Sequence, residues 1–405
     1  MPLKDVSRLG QVFTPPAVVE AMLALRRNAG RVLEPSAGDG AFSRRIPGCV
    51  AIEADPRHAP PGARVMDFFA YPESERFATI IGNPPYVRYQ DIAPDTLALL
   101  DSPLFDGRSN LYLFFIEKAI RHLDPGGELI FITPRDFLKT TSSVKLNRWL
   151  ARLGSITDAI ELGDAQVFED AVPNCLIWRF EKGCVSRETR YAEIGYSSDL
   201  TAALQVPAWE KRHFIEASGH LMFAHAAYDL HVRDLFSVRV GGVSGADDLY
   251  ASLPGNRDFV CSQTVATGQT RRMLWQAPGS LDPDPVLLPH KARLIARRVR
   301  PFDDSNWWTW GRGYPETDAP RIYVNGRTRR PQPFFLHPCP HFDGAVLALF
   351  PHDRKADLQE MTAALNAVDW AELGFVCDGR FLFTQRSLVN APLPASFRAF
   401  LPSPV

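Results

Sequence analysis

No run in this chain of 405 residues approaches the roughly eighteen consecutive apolar residues of a membrane-spanning helix, so none is expected. The opening Met1-Pro2-Leu3-Lys4-Asp5-Val6 lacks the apolar core of a signal peptide, which sets the expectation of a cytoplasmic protein. Cysteine is sparse. Cys49, Cys175, Cys184, Cys261, Cys339 and Cys377 are scattered with no Cys-x-x-Cys pair, which argues against a disulfide framework and against a four-cysteine zinc site. Neither Gly-x-Gly-x-x-Gly nor a Gly-Lys-Ser/Thr phosphate loop occurs, which argues against a dinucleotide or triphosphate ligand. No repeat or low-complexity tract is visible. What is present is 45% hydrophobic and 22% charged residues, the balance of a globular chain with a large core, long enough for two or three folding units.

Excess charge of either sign is also missing, since 45 Lys+Arg face 46 Asp+Glu. The average conceals a division: residues 257–330 hold 13 basic against 7 acidic residues, whereas residues 1–256 hold 27 against 32. Arginines in that window, Arg271, Arg272, Arg297, Arg298, Arg327, Arg329 and Arg330 among them, are candidates to track a phosphate backbone; the alternative is a solvated basic face.

Short apolar segments alternate with helical or turn segments over the first 180 residues, the pattern of an α/β domain. Strands are predicted at 31–34, 50–53, 79–82, 128–133 and 175–180. Thr14 is expected to cap a helix whose first turn holds Pro15 and Pro16, and a second helix is expected over 109–123, ending before Asp124-Pro125-Gly126-Gly127.

The first strand runs into Glu34-Pro35-Ser36-Ala37-Gly38-Asp39-Gly40, where glycines allow close backbone approach to a ligand. Glu53 and Asp67 close the next two candidate strands. A carboxylate at such a strand end can accept from ribose hydroxyls, and three acidic strand ends in series suggest an adenosyl ligand. After the following strand comes Asn83-Pro84-Pro85-Tyr86. The prolines stiffen the loop, so that the Asn83 amide oxygen and the Pro84 carbonyl can act as fixed acceptors for one amino group, with Tyr86 as a stacking face. An exocyclic amine of adenine or cytosine is a poor nucleophile because its lone pair is delocalised. Two acceptors on its protons favour the sp3-like nitrogen of a transition state.

In order along the chain, Gln11-Val12-Phe13-Thr14-Pro15-Pro16, the Glu34 to Gly40 segment, Ile52-Glu53-Ala54-Asp55, Asp67-Phe68 and Asn83-Pro84-Pro85-Tyr86 resemble the gamma-class (TaqI-type) adenine-N6 DNA methyltransferases. Further matches are Asn110-Leu111-Tyr112-Leu113, Phe131-Ile132-Thr133-Pro134 and Gly163 to Phe168, so the resemblance covers residues 10–182 and is thin beyond. It implies a doubly wound, mixed-sheet class I S-adenosylmethionine-dependent methyltransferase domain over residues 1–183, a linker at 184–230 and a smaller DNA target-recognition domain at 231–405. By the same resemblance Thr14, Glu34, Gly38, Glu53, Asp67 and Asn83 hold S-adenosylmethionine. Asn83, Pro84, Tyr86 and Phe168 serve transfer, the last as the second face on a flipped base. The implied reaction is site-specific methylation of adenine N6 in duplex DNA lying in a positively charged cleft between the domains. The enzyme would act as a monomer without membrane, and a separate restriction endonuclease can accompany it. N4-cytosine methylation, protein glutamine methylation and a non-catalytic DNA-binding role are the alternatives.

Two remaining clusters are given plainer readings. Trp307, Trp308 and Trp310 are expected in the core of the second domain rather than against bases. His337, Cys339 and His341 alternate with prolines and lack a fourth ligand, so no metal is expected.

Overall fold

The computed structural model describes residues 13–105, 108–163, 174–194, 200–217, 219–377 and 379–401. The chain divides into two compact units, Met1–Ala226 and Ala227–Val405.

The first unit is built on strands β1 (Val32–Glu34), β2 (Val50–Glu53), β3 (Arg64–Val65), β4 (Phe77–Gly82), β5 (Leu123–Pro134), β6 (Gly154–Glu161), β7 (Cys175–Lys182), β8 (Glu188–Glu193), β9 (Glu210–Ala217) and β10 (His220–Ala224). They form one sheet in the order β10-β9-β8-β6-β7-β5-β4-β1-β2-β3. Strands β3, β2, β1, β4 and β5 run parallel, and β7 is inserted antiparallel between β5 and β6. This is a doubly wound mixed sheet. Chain order reverses between β1 and β4, and in such sheets the crevice beyond the strand C-termini at the reversal takes the ligand.

The apolar runs are continuous because both faces of the sheet are covered. Successive side chains point to opposite faces. Ile80, Leu129 and Phe131 pack with helix α2 (Leu111–Arg121) on one side, while Ile81, Ile130 and Ile132 pack with Val18, Val19 and Met22 of helix α1 (Pro16–Ala24) on the other. A buried ion pair crosses the sheet, with the Arg179 Nε of β7 donating to Glu128 Oε2 of β5 at 2.7 Å.

Three expectations change. Thr14 does not cap α1: Pro15 occupies the cap position, and helix formation there relies on the fixed proline φ. Helix α2 stops at Arg121 with His122 as its cap, and Asp124-Pro125-Gly126-Gly127 lies inside the opening of β5 at a register irregularity. Residues 184–230, expected as a linker, hold β8, β9 and β10 and continue the sheet, so the first unit extends to Ala226.

The second unit centres on a four-stranded antiparallel sheet of β11 (Phe236–Val240), β12 (Ile322–Asn325), β13 (Phe334–Phe335) and β14 (Val346–Pro351), in the order β11-β14-β12-β13. Trp307, Trp308 and Trp310 are buried in its core with Tyr250, Phe259 and Trp275, as the sequence suggested. Among the described residues no helix is long and apolar enough to cross a membrane.

Candidate active site

The C-terminal edge of β1, β2 and β4 gathers most of the residues singled out from the sequence. Gly38 and Gly40 turn the chain with φ of +53° and +84°. The Gly38 amide donates to Glu53 Oε2 at 2.7 Å and the Asp55 amide to Oε1 at 2.9 Å, so the Glu53 carboxylate is held by backbone on both oxygens. Asp67, just past β3, accepts from the Phe69 amide through Oδ1 at 2.8 Å and from the Thr96 hydroxyl through Oδ2 at 2.6 Å.

A cavity of about 130 Å³ opens at this edge. Glu53, Asp55 and Asp67 supply its charge, and Phe68, Phe69, Val87, Ile92, Leu111 and Phe115 its apolar wall. Among the described residues no lysine or arginine lines it, and the Arg57 guanidinium pairs with Asp55 at 2.7 Å. Glu53 and Asp67 form no ion pair among the described residues, and such carboxylates repel a phosphate and suit a ligand with a positive charge, hydroxyl and amino donors, and a flat apolar body.

Asn83 follows the last residue of β4 and lines the same cavity beside Pro85. Its Nδ2 donates to Thr14 Oγ1 at 3.3 Å, and its backbone carbonyl accepts from Ser36 Oγ at 3.1 Å. The loop is thereby pinned to the threonine-proline-proline segment on one side and to the glycine turn on the other. Pro84 is buried and Tyr86 half-buried. The Tyr86 hydroxyl donates to the Ile132 carbonyl at 2.9 Å, and its ring meets Tyr112 edge-on at 6.0 Å. Burial beside Cys175 and Tyr112 holds the hydroxyl well above the ordinary tyrosine range. Tyr86 is therefore an anchored ring, not a proton acceptor.

Gly38, Glu53, Asp67 and Asn83 thus share one cavity, and Thr14 stands one hydrogen bond away. Glu34 does not line it. That carboxylate is buried behind the glycine turn, where it accepts from the Phe42 and Ser43 amides at 3.2 and 2.7 Å, and burial pushes its pKa up to about 7. Phe168 lies outside the described residues. Sequence reasoning missed Thr96 altogether, because nothing local marks a threonine as the partner of an aspartate 29 positions earlier. Phe69, Ile92 and Phe115 also went unnamed, since an apolar residue on a cavity wall looks like a core residue in sequence.

The arginine window separates into two groups. Arg297, predicted to contact DNA, is instead a spoke in the core of the second unit. Only 8% exposed, it donates to the carbonyls of Leu294, Ser244, Trp307 and Thr309, and burial lowers its pKa. Arg271 pairs with the buried Asp343 at 2.6 Å, and Arg272 with Asp258 at 2.9 Å. Arg298, Arg327, Arg329 and Arg330 are exposed, and among the described residues none of them forms an ion pair. His337, Cys339 and His341 point to separate partners: His337 meets the Gly268 carbonyl, His341 the Tyr314 hydroxyl, and the Cys339 thiol donates to the Asp258 carbonyl.

Residues 60–168 match the family of Eco57I restriction-modification methylases. The chain is 35% identical over 198 residues to the Type II methyltransferase M.TthHB8I of Thermus thermophilus, covering 43% of this chain and 45% of that protein. It is 31% identical over 189 residues to the Type II methyltransferase M.HincII of Haemophilus influenzae, covering 43% of this chain and 38% of that one. The matches thus span less than half the length of either relative. Among solved structures, the type IIG restriction endonuclease BpuSI aligns over 95% of this chain and 59% of its own, at 13% identity and a TM-score of 0.39.

Proposed function

We propose that this chain, a relative of the Type II methyltransferases of restriction-modification systems, transfers a methyl group from S-adenosylmethionine to the N6 amino group of an adenine flipped out of duplex DNA. One observation carries the reading: Asn83, at the end of β4, shares a carboxylate-bearing cavity with Gly38, Glu53 and Asp67. The lining suits the proposed donor in charge, in hydrogen-bonding sense and in its flat apolar slot. Glu53 would accept from the ribose hydroxyls and Asp67 from the adenine amino group. When bound, S-adenosylmethionine supplies an electrophilic methyl group on a positively charged sulfur.

The chain's own part is orientation. The Asn83 side-chain oxygen and the Pro84 carbonyl accept hydrogen bonds from the two N–H groups of the target amine, drawing its lone pair out of the ring and toward the methyl carbon. The Thr14 bond orients the Asn83 amide for this task. Tyr86 offers a ring face for the flipped base, a stacking contribution of roughly 1–3 kcal/mol against an unpairing cost of a few kcal/mol. Transfer is direct, so no cysteine nucleophile is needed. Arg298, Arg327, Arg329 and Arg330 are the window residues suited to phosphate contacts.

The test is mass spectrometry of nucleosides after incubating duplex DNA with the protein and S-adenosylmethionine. N6-methyldeoxyadenosine is expected. N4-methyldeoxycytidine would overturn the choice of base, and the absence of any methylated nucleoside across a sequence-diverse DNA pool would overturn the reaction.

A further inference from the structure

Thr96 carries a contact that the proposed chemistry leaves unexplained. It sits in a single helical turn, Pro94–Leu97, in the segment that follows the Asn83 loop, and its hydroxyl donates to Asp67 Oδ2 at 2.6 Å. The other carboxylate oxygen, Oδ1, takes the Phe69 amide at 2.8 Å. Both Asp67 and Thr96 line the cavity, with Phe68 and Phe69 on the Asp67 side and Ile92 and Ala93 on the Thr96 side.

A carboxylate held through one oxygen can still rotate about its terminal torsion, which is broad and roughly two-fold. A donor on each oxygen fixes that torsion. It also consumes one acceptor direction per oxygen, so the remaining lone pairs have defined headings. We propose that Thr96 is a positioning residue that aims the Asp67 carboxylate at the purine amino group of the methyl donor, making this cavity selective for an adenine over a purine that bears a carbonyl at the same position. The proposal rests on the reading of the cavity as the S-adenosylmethionine site. A carbonyl in place of the amino group would face an aimed carboxylate acceptor to acceptor, and the pair would be left without a hydrogen bond.

Isothermal titration of the full chain with S-adenosylhomocysteine and with S-inosylhomocysteine, which lacks the amino group, tests this directly. Wild type is expected to favour the adenosyl ligand by at least about tenfold. Thr96→Val keeps the branched shape and the cavity wall but deletes the donor. It should weaken the adenosyl ligand by about tenfold while changing the inosyl ligand less than about twofold, so that the preference collapses. Thr96→Ser, which restores the hydroxyl, should restore the preference. If Thr96→Val keeps the wild-type preference, or weakens both ligands equally, Thr96 merely fastens its segment and the proposal is overturned. If wild type binds neither ligand, the cofactor reading itself fails, an outcome distinct from the first two.

Discussion

At the scale of single residues, the carboxylates at the strand ends divide by their surroundings. Glu53 and Asp67 face the cavity, whereas Glu34 is sealed behind the glycine turn with a pKa of about 7. The folded state therefore holds the Glu34 proton more tightly than the unfolded chain, whose value is near 4.5. Stability is greatest below the unfolded value and falls as pH rises through the interval up to about 7, by on the order of 3 kcal/mol when the whole interval is crossed. Glu34→Gln removes the titration, so urea unfolding midpoints measured from pH 5 to 8 should decline less in the variant than in wild type. An identical pH slope in both would refute this account of Glu34. Asn83 acts on the reaction rather than the fold. Asn83→Ala should reduce methyl transfer by about 10²–10³-fold, the usual cost of losing one aimed polar group, while S-adenosylhomocysteine affinity falls by less than about tenfold. Single-turnover rates alongside binding titrations separate the two effects.

At the scale of elements, the chain between β1 and β2 makes a compact glycine turn. Its compactness depends on Gly40, whose φ is +84° and where a Cβ would come within 2.9 Å of Pro60 Cβ and 3.1 Å of Ser43 Oγ. Gly62 has a similar φ of +83° with nothing within 4 Å of a built Cβ. Gly62→Ala should therefore show backbone strain alone, about 1 kcal/mol, whereas Gly40→Ala adds a clash and should cost roughly 1–3 kcal/mol. Denaturant midpoints give the comparison, and equal losses would mean that the Pro60 contact yields freely. Because the Gly38 amide holds Glu53, Gly40→Ala should also weaken S-adenosylhomocysteine binding, and Gly62→Ala should not.

Over the whole molecule, the basic window is a mixture of structural and exposed arginines, and substitution should separate them. Arg297→Ala strips four core carbonyls of their donor and should destabilise the second unit by about 2–3 kcal/mol, visible as an earlier thermal transition. The combined change of Arg327, Arg329 and Arg330 to alanine should leave that transition in place. If these residues meet DNA, it should flatten the salt dependence of DNA affinity by up to about one unit of slope per lost phosphate contact. An unaltered slope would make them a solvated face.

What the sequence determined by itself is what local chemistry encodes. Short continuous apolar runs place the strands, glycine and proline mark the turns, and the ordered acidic strand ends with Asn83-Pro84-Pro85-Tyr86 point to one edge of the sheet. Partnership across the chain was left to the tertiary structure. Arg297 and Arg298 are neighbours of the same type, yet one is buried among the carbonyls of Leu294, Trp307, Thr309 and the distant Ser244, and the other is exposed. Thr96 meets Asp67, Asp343 meets Arg271, and Arg190 of β8 lies opposite Asp158 of β6. The Thr96–Asp67 and Arg271–Asp343 partners lie 29 and 72 positions apart, and no local pattern of side chains carries that information.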